Sequence, residues 1–158
     1  VWNITGVDPS PEMIKQAEEK FEGYDNVMLI EGLVSDLDVK KHYGAATLLL
    51  VLHFLEDNGD KVALLQEIGK RLLSGAPLIL LDITGNKEQV KENLAILRLL
   101  LHDGIAVEHV DQRLHRIANE LLYVPEERLI QLCEDAGFER PVRFFQSTIY
   151  MGWMIRKK

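Results

Sequence analysis

Apolar and polar residues alternate with two different periodicities along this chain. Short apolar runs bounded by glycine, proline or aspartate predict strands, and apolar residues three and four positions apart predict amphipathic helices. The predicted strands are 1–8, 27–31, 45–52, 77–82, 142–145 and 149–155, and the predicted helices are 11–21, 60–73, 86–102, 105–122 and 125–136.

Several boundaries carry recognisable end signals. Ser10 is a good N-cap and Pro11 suits the first position of a helix. Gly75 provides the C-terminal stop of helix 60–73. The predicted strand 45–52 does not alternate with polar residues, which predicts that helices cover it on both faces, as in a parallel sheet.

The order of the elements predicts the fold class. Strands alternate with helices through the first half of the chain, which is typical of an α/β fold with a mostly parallel sheet. Only residues 146–148 separate the last two strands, so we expect a hairpin and an antiparallel C-terminal strand. Two consecutive helices make 86–122 a helical insert over the sheet rim. We therefore expect a Rossmann-like three-layer sandwich in a single domain, 1–158.

Ligands of such sheets bind at the carboxyl ends of the strands. Asp8 and Asp82 each end a predicted strand, and a turn follows Gly32. The segment Leu50–Phe54 spans the end of the predicted strand 45–52. We expect all four places to lie along one rim.

Charge and cysteine content narrow the function classes. The net charge of -7 and the pI near 5.2 argue against a domain held to nucleic acid mainly by its overall charge. The single cysteine, Cys133, excludes an internal disulfide, and no apolar run reaches the ~18 residues of a membrane span. We therefore expect a cytoplasmic protein with no membrane partner.

Five segments, in this order and spacing, resemble class I S-adenosylmethionine-dependent methyltransferases of the type 11/12 kind. They are ITGVDPSPEM at 4–13, LIEG at 29–32, LLVLHFL at 49–55, LLSGAPLILLD at 72–82 and CEDAGF at 133–138. The resemblance implies S-adenosyl-L-methionine as the cofactor. The late segment FFQSTIYMGWMI at 144–155 is similar to the carboxymethyl-transferring tRNA wobble-uridine enzymes and their relatives, and we assign no tRNA substrate from it.

The resemblance implies cofactor-binding roles near the first strand. Asp8 would accept hydrogen bonds from the two ribose hydroxyls, since a carboxylate offers two acceptor oxygens to a vicinal diol. The alternative is that Asp8 helps Ser10 to cap the following helix. Met13 would lie beside the adenine, or it is a core residue of that helix.

Three further positions are implied for the cofactor. Leu33 and Val34 would flank the adenine, although the family commonly has an acidic residue at the position of Leu33. Asp36 could substitute for that acid from two to three residues away. Leu50 would contact the cofactor from the end of the fourth family strand.

The acceptor side is implied to include His53, Phe54, Arg113 and Tyr150. His53 is the candidate general base, because histidine titrates near neutral pH. The alternative is that its imidazole bonds to backbone as a structural element. Methyl transfer from a sulfonium often depends on alignment more than on acid–base help, so the class does not require this base. Arg113 could meet an anionic acceptor, or it is a solvated surface residue.

The histidines do not predict a metal site. His102, His109 and His115 lie seven and six residues apart and lack a recognised zinc-binding frame. We therefore expect no metal.

The family's first strand ends in a glycine-rich loop, and no G-x-G-x-G occurs in this sequence. We therefore expect an N-terminally incomplete methyltransferase-like domain, with a vacancy between the strands predicted at 1–8 and 45–52. Upstream residues outside this sequence, a strand from another chain, or direct pairing of the two strands could each account for it.

Three functions follow from these observations. The first is methyl transfer from S-adenosyl-L-methionine to an unidentified small-molecule or RNA acceptor. The second is a non-catalytic binding or assembly module of the same fold, with a homo-oligomer as its partner state. A nicotinamide-dependent dehydrogenase is the third, because an acidic residue after the second strand also binds ribose there.

Overall fold

The computed structural model describes residues 2–101 and 107–158 and divides the chain into two compact units. The first unit is Val1–Lys41 and the second unit is His42–Lys158. Each unit is built from its own sheet. The single domain expected from the sequence stays a prediction.

The first unit is one strand–helix–strand repeat. Strand β1 (Ile4–Asp8) pairs in parallel with β2 (Val27–Glu31), and Asp8 lies opposite Glu31 at the carboxyl end of the pair. Helix α1 (Pro11–Lys20) begins as predicted, because the Ser10 side chain accepts a hydrogen bond from the Met13 N–H at 3.4 Å. No described residue of this unit is fully buried.

The second unit contains a four-stranded sheet and four helices in the part of the chain that is described. Its elements are β3 (Ala46–Leu49), α2 (Asp60–Arg71), β4 (Pro77–Ile83), α3 (Lys87–Leu100), α4 (Val107–Glu120), α5 (Glu126–Asp135), β5 (Val142–Ser147) and β6 (Tyr150–Arg156). The strand order is β3-β4-β6-β5. Strands β3 and β4 are parallel, and β6 runs antiparallel to both of its neighbours. The predicted α/β class and the antiparallel C-terminal strand are therefore confirmed.

Alternate residues of the two central strands supply the core of the second unit. Leu78 and Leu80 on β4 lie opposite Ile155 and Trp153 on β6, and all four are buried. Helices α2 and α5 pack against each other and contribute the buried residues Leu65, Ile68, Leu129 and Leu132. On β4, the buried Leu78 and Leu80 alternate with the half-buried Ile79 and Leu81, which lie on the other face of the sheet.

Helices α3 and α4 form a second cluster at the carboxyl end of β4. Val90 and Leu94 on α3 and Ile117 on α4 are buried together with Ile83, the last residue of β4, and Ile149. Asn86 caps α3 by accepting a hydrogen bond from the Gln89 N–H at 2.9 Å. The apolar faces of α3 and α4 therefore pack against the end of β4.

One detail of the fold differs from the expectations. Strand β3 ends at Leu49, and of its four residues only Leu48 is buried, whereas Thr47 and Leu49 are exposed. The prediction that both faces are covered is therefore wrong for this strand, because β3 is an edge strand in the described sheet. Strands β1 and β3 belong to different sheets, and the three explanations of the expected vacancy stay predictions.

The single cysteine provides a simple test of this packing. Cys133 lies on α5 and is buried, and burial raises the pKa of its thiol to about 12. Because the thiolate is the reactive form, we expect no reaction of the native protein with an aromatic disulfide reagent at pH 8. One thiol per chain should react after unfolding in guanidinium. Rapid reaction of the native protein would contradict this position of α5.

Candidate functional site

Asp8 occupies the end of β1 and is half-buried. Its Oδ1 accepts a hydrogen bond from the Ser10 N–H at 2.8 Å, and its backbone oxygen accepts one from the Gly32 N–H at 3.0 Å. The other carboxylate oxygen, Oδ2, makes no hydrogen bond with the described residues. The Asp8 side chain thus binds the start of α1 through Oδ1 and has Oδ2 as a second acceptor.

The predicted adenine-side residues lie at the same end of the first unit. Leu33 follows β2 and is exposed, and Val34 begins a short 3-10 helix, Val34–Asp36. Met13, in the first turn of α1, is also exposed. Apolar side chains that are left open beside a strand end are suited to contact a flat heterocycle.

Asp36 holds the turn after β2 rather than projecting away from it. Its Oδ2 accepts a hydrogen bond from the Leu33 N–H at 2.8 Å. Gly32 allows this approach, because a Cβ at that position would lie 2.9 Å from the same oxygen. A carboxylate engaged in this way has its other oxygen, Oδ1, as the remaining acceptor.

In the second unit, the chain turns sharply after β3. Leu50 has a φ of 59° and donates its N–H to the Leu81 oxygen at 2.7 Å. The left-handed conformation is costly for a residue with a Cβ, so the surrounding contacts must hold it. The next residues form a short 3-10 helix, Leu52–Phe54.

This turn buries His53 and exposes Phe54. The His53 side chain is 5% exposed, while Phe54 is 60% exposed, and the two rings lie 4.2 Å apart between centroids. His53 Nδ1 lies 2.7 Å from Asp82 Oδ1. Because a carboxylate only accepts hydrogen bonds, this contact fits the tautomer in which Nδ1 carries the hydrogen.

Asp82 is the polar centre of this region. It is the sixth residue of β4 and is 2% exposed. Besides the imidazole, it accepts hydrogen bonds from the backbone N–H groups of Val51, Leu52 and Ile83, at 3.1, 2.8 and 2.8 Å. Four donors satisfy this buried carboxylate, as burial of a charge requires.

Lys61, in the first turn of α2, is buried beneath the same turn. Its ammonium group donates to the backbone oxygens of Leu52 and Leu55. Burial lowers the pKa of Lys61, and the negative charges of Asp82 and Asp57 oppose that shift. His53, Lys61, Asp82 and Tyr123 also line a small cavity of about 10 Å³, which is about the room that one water molecule needs.

The other predicted acceptor-side residues have different surroundings. Tyr150 begins β6 opposite Ile83 and packs against the cluster of α3 and α4. Arg113 is exposed on α4 and is not among the residues of that cluster. The structure thus places Leu50, His53 and Phe54 on one turn after β3, while Tyr150 begins β6, on the far side of β4 in the same sheet.

Comparison with known proteins finds a methyltransferase likeness in the first part of this chain. Residues 1–75 match the family described as "Methyltransferase domain". The Carboxy-S-adenosyl-L-methionine synthase of Helicobacter pylori (strain J99) is 27% identical over 157 residues, which are 98% of this chain and 64% of that relative. The segment 1–75, a little under half of the chain, is thus similar to a methyltransferase domain. The chain spans less than two thirds of the length of this curated relative.

Solved methyltransferase structures share the fold at low sequence identity. Human N-acetylserotonin methyltransferase in complex with SAM superposes with a TM-score of 0.62 at 17% identity, covering 98% of this chain and 39% of that one. The N-methyltransferase NodS from Bradyrhizobium japonicum WM9, in complex with S-adenosyl-L-homocysteine, gives 0.63 at 14% identity, covering 97% and 65%. The dimethyltransferase RosA from Streptomyces davawensis gives 0.68 at 19%, covering 98% and 42%.

Sequence reasoning missed the buried cation of this methyltransferase fold. The spacing of Val62, Leu65, Ile68 and Leu72 predicts that these residues form the inward face of the second helix. The same spacing of four and three, extended backwards from Leu65, reaches Lys61, which is buried, whereas Val62 is only half-buried. A lysine on an apolar stripe was therefore the available signal.

A second missed contact ties the end of this region to α5. Arg128 binds Asp57 through two hydrogen bonds, from Nε and from an Nη atom, both at 2.8 Å. This hydrogen bonding lowers the pKa of Asp57 and raises that of Arg128. No pattern in the sequence pairs residues that lie so far apart along the chain.

Metal and membrane features were also sought in the described residues. Across 2–101 and 107–158, no three His, Cys, Asp or Glu side chains are grouped so that they could hold a metal ion. His102 of the predicted histidine set lies outside these ranges. No helix in the same ranges has the length and apolar character needed to cross a membrane.

Proposed function

We propose that this protein transfers a methyl group from S-adenosyl-L-methionine to a small-molecule or RNA acceptor. The observation that carries the proposal is Asp8, at the carboxyl end of β1 within the matched segment 1–75. Its Oδ2 is open to a ligand hydroxyl while Oδ1 is held by the start of α1. The carboxylate is thus already oriented before any ligand binds.

In the first unit, we infer that Asp8 binds the ribose while Met13, Leu33 and Val34 contact the adenine. All three apolar residues lack strong polar groups, and Met13 and Leu33 are exposed. The hydrogen bond that an acidic residue would make to the adenine amine falls to Asp36 in this proposal.

In the second unit, we infer that Leu50 contacts the cofactor and that Phe54 and Tyr150 contact the acceptor. Arg113 is proposed to meet an anionic group of the acceptor. Bound S-adenosyl-L-methionine supplies an electrophilic methyl group on a sulfonium. The chain's own task is then to align an acceptor atom with that methyl group, since alignment supplies much of the rate.

His53 is proposed to orient the turn rather than to remove a proton. Its side chain is buried, and its Nδ1 is engaged by Asp82 at 2.7 Å. Phe54 packs against the ring, which further limits access of an acceptor to it.

A cytoplasmic location is part of the proposal and rests on the single buried cysteine, which needs no oxidising compartment.

A second candidate function is the synthesis of a carboxylated S-adenosyl-L-methionine. It is favoured by the match with the Helicobacter pylori relative, which extends over 98% of this chain. The candidate keeps the same cofactor residues and differs in the reaction, in which a carboxyl group from a carboxyl-containing donor would replace a hydrogen of the cofactor, lost as a proton. A methyl acceptor would then not be needed.

Calorimetry with S-adenosyl-L-homocysteine tests the proposed cofactor site on the full chain. We expect measurable binding by the wild type and about tenfold weaker binding by Asp8→Asn, since a hydrogen bond to a charged group contributes ~1.5–3 kcal/mol. Asp25→Asn, which changes an exposed carboxylate in the same unit, should bind as the wild type does. Absence of binding by the wild type at millimolar ligand would contradict the proposal, as would equal affinities of the two variants.

Mass spectrometry of the ligand released from the purified, denatured protein separates the two candidates. We expect S-adenosyl-L-methionine or S-adenosyl-L-homocysteine if the protein is a methyltransferase. A mass increased by one carboxyl group would favour the second candidate instead. Asp8→Asn is the control, because it should release less of either ligand.

A further inference from the structure

The turn after β3 is held at its backbone by two buried charges of opposite sign. It runs from Leu50 to Leu55 and contains one left-handed residue and a single 3-10 turn. The N–H groups of Leu50, Phe54 and Leu55 donate to backbone oxygens. Those of Val51 and Leu52 are instead bound by a side chain that reaches the turn from another strand.

Asp82 holds the N–H groups of this turn. Its Oδ2 accepts from both Val51 and Leu52, while Oδ1 accepts from His53 Nδ1. The carboxylate belongs to β4, which is hydrogen-bonded on both sides, to β3 and to β6. A side chain on so rigid a strand fixes the residues that it binds.

Lys61 holds the carbonyl groups of the same turn. Its ammonium group donates to the oxygens of Leu52 and Leu55, and the side chain is 1% exposed. Both backbone polar groups of Leu52 are thus hydrogen-bonded: its N–H donates to Asp82, and its carbonyl accepts from Lys61. Burial lowers the pKa of Lys61, and the nearby negative charges of Asp82 and Asp57 oppose that shift.

The residues left projecting from the turn are the ones proposed to meet ligands. Leu50 is partly exposed and Phe54 is 60% exposed, although both belong to a segment whose backbone is fixed. A buried ion pair does not by itself add to stability, because desolvation of the charges offsets their attraction. A specific geometry of the turn is what the two charges provide.

We propose that Lys61 and Asp82 are positioning residues that set the direction of Leu50 and Phe54 for ligand binding. The inference rests on the proposed function, because the ligand contacts of Leu50 and Phe54 belong to that proposal. Neither charged group is itself proposed to touch the ligand. Their contribution is made through the backbone of the turn.

Lys61→Met tests the inference, with Arg71→Met as the matched control. Both variants remove a buried cation from α2, but Arg71 is the last residue of the helix and Lys61 the second. Ten residues of helix separate them by about 15 Å. We expect both variants to unfold at lower temperature than the wild type.

Two readouts should distinguish the variants. In Lys61→Met, we expect the amides of Val51 and Leu52 to exchange about tenfold faster or more than in the wild type, because a loosened turn opens locally. We also expect affinity for S-adenosyl-L-homocysteine to fall at least about tenfold, since small misplacements are costly in a preorganised site. Arg71→Met should leave both quantities close to those of the wild type.

Lys61→Gln is a second variant that keeps the test decisive if Lys61→Met does not fold. Its amide can donate to one carbonyl oxygen, so we expect intermediate exchange and intermediate affinity. Equal exchange and equal affinity in the Lys61 and Arg71 variants would overturn the positioning role. If the wild type fails to bind S-adenosyl-L-homocysteine, the proposed function fails with the ligand part of this inference, while the exchange rates still decide whether Lys61 holds the turn.

Discussion

The carboxylate of Asp82 is the constraint on which the second unit's candidate site depends. It is buried at the end of β4, where a negative charge without partners would be strongly unfavourable. Three backbone N–H groups and one imidazole satisfy it, and two of those N–H groups belong to the turn after β3. The need to satisfy this one charge therefore dictates the path of the chain where strands β3 and β4 end. Lys61 completes the arrangement by binding the carbonyl groups of the same turn.

The first unit uses the same chemistry on a smaller scale. Asp8 and Asp36 each follow or end a parallel strand, and each directs one carboxylate oxygen to a backbone N–H group. Both therefore have a local structural role and a second oxygen for a ligand. The two interpretations of Asp8, as a cap and as a ribose ligand, need not exclude each other, because a carboxylate has enough lone pairs for both. Preorganisation of this kind lowers the cost of ordering the site when a ligand binds.

Much of the fold could be predicted from the sequence, because hydrophobic periodicity and end signals are local. Ser10, Pro11 and Asn86 each mark a helix start that the structure confirms, and the apolar runs 27–31 and 77–82 mark β2 and β4. The exposure of Leu49 could not be predicted, since it depends on which elements cover an edge strand. The burial of Lys61 had a signal, since it continues the apolar stripe of Leu65, but its backbone partners leave no pattern of residue types. The Asp57–Arg128 pair was missed because the two residues are distant in sequence. His53 is buried, but its imidazole bonds to the Asp82 side chain, whereas the structural alternative had it bonded to backbone.

A crystal structure of the chain with S-adenosyl-L-homocysteine would test directly whether Asp8 binds the ribose and Asp82 holds the turn after β3. We expect the ribose hydroxyls to lie within hydrogen-bonding distance of the Asp8 carboxylate. We also expect Asp82 to keep its four donors, with Leu50 in its left-handed conformation. A ligand whose ribose binds away from Asp8, or a turn after β3 that has released Asp82, would contradict this interpretation.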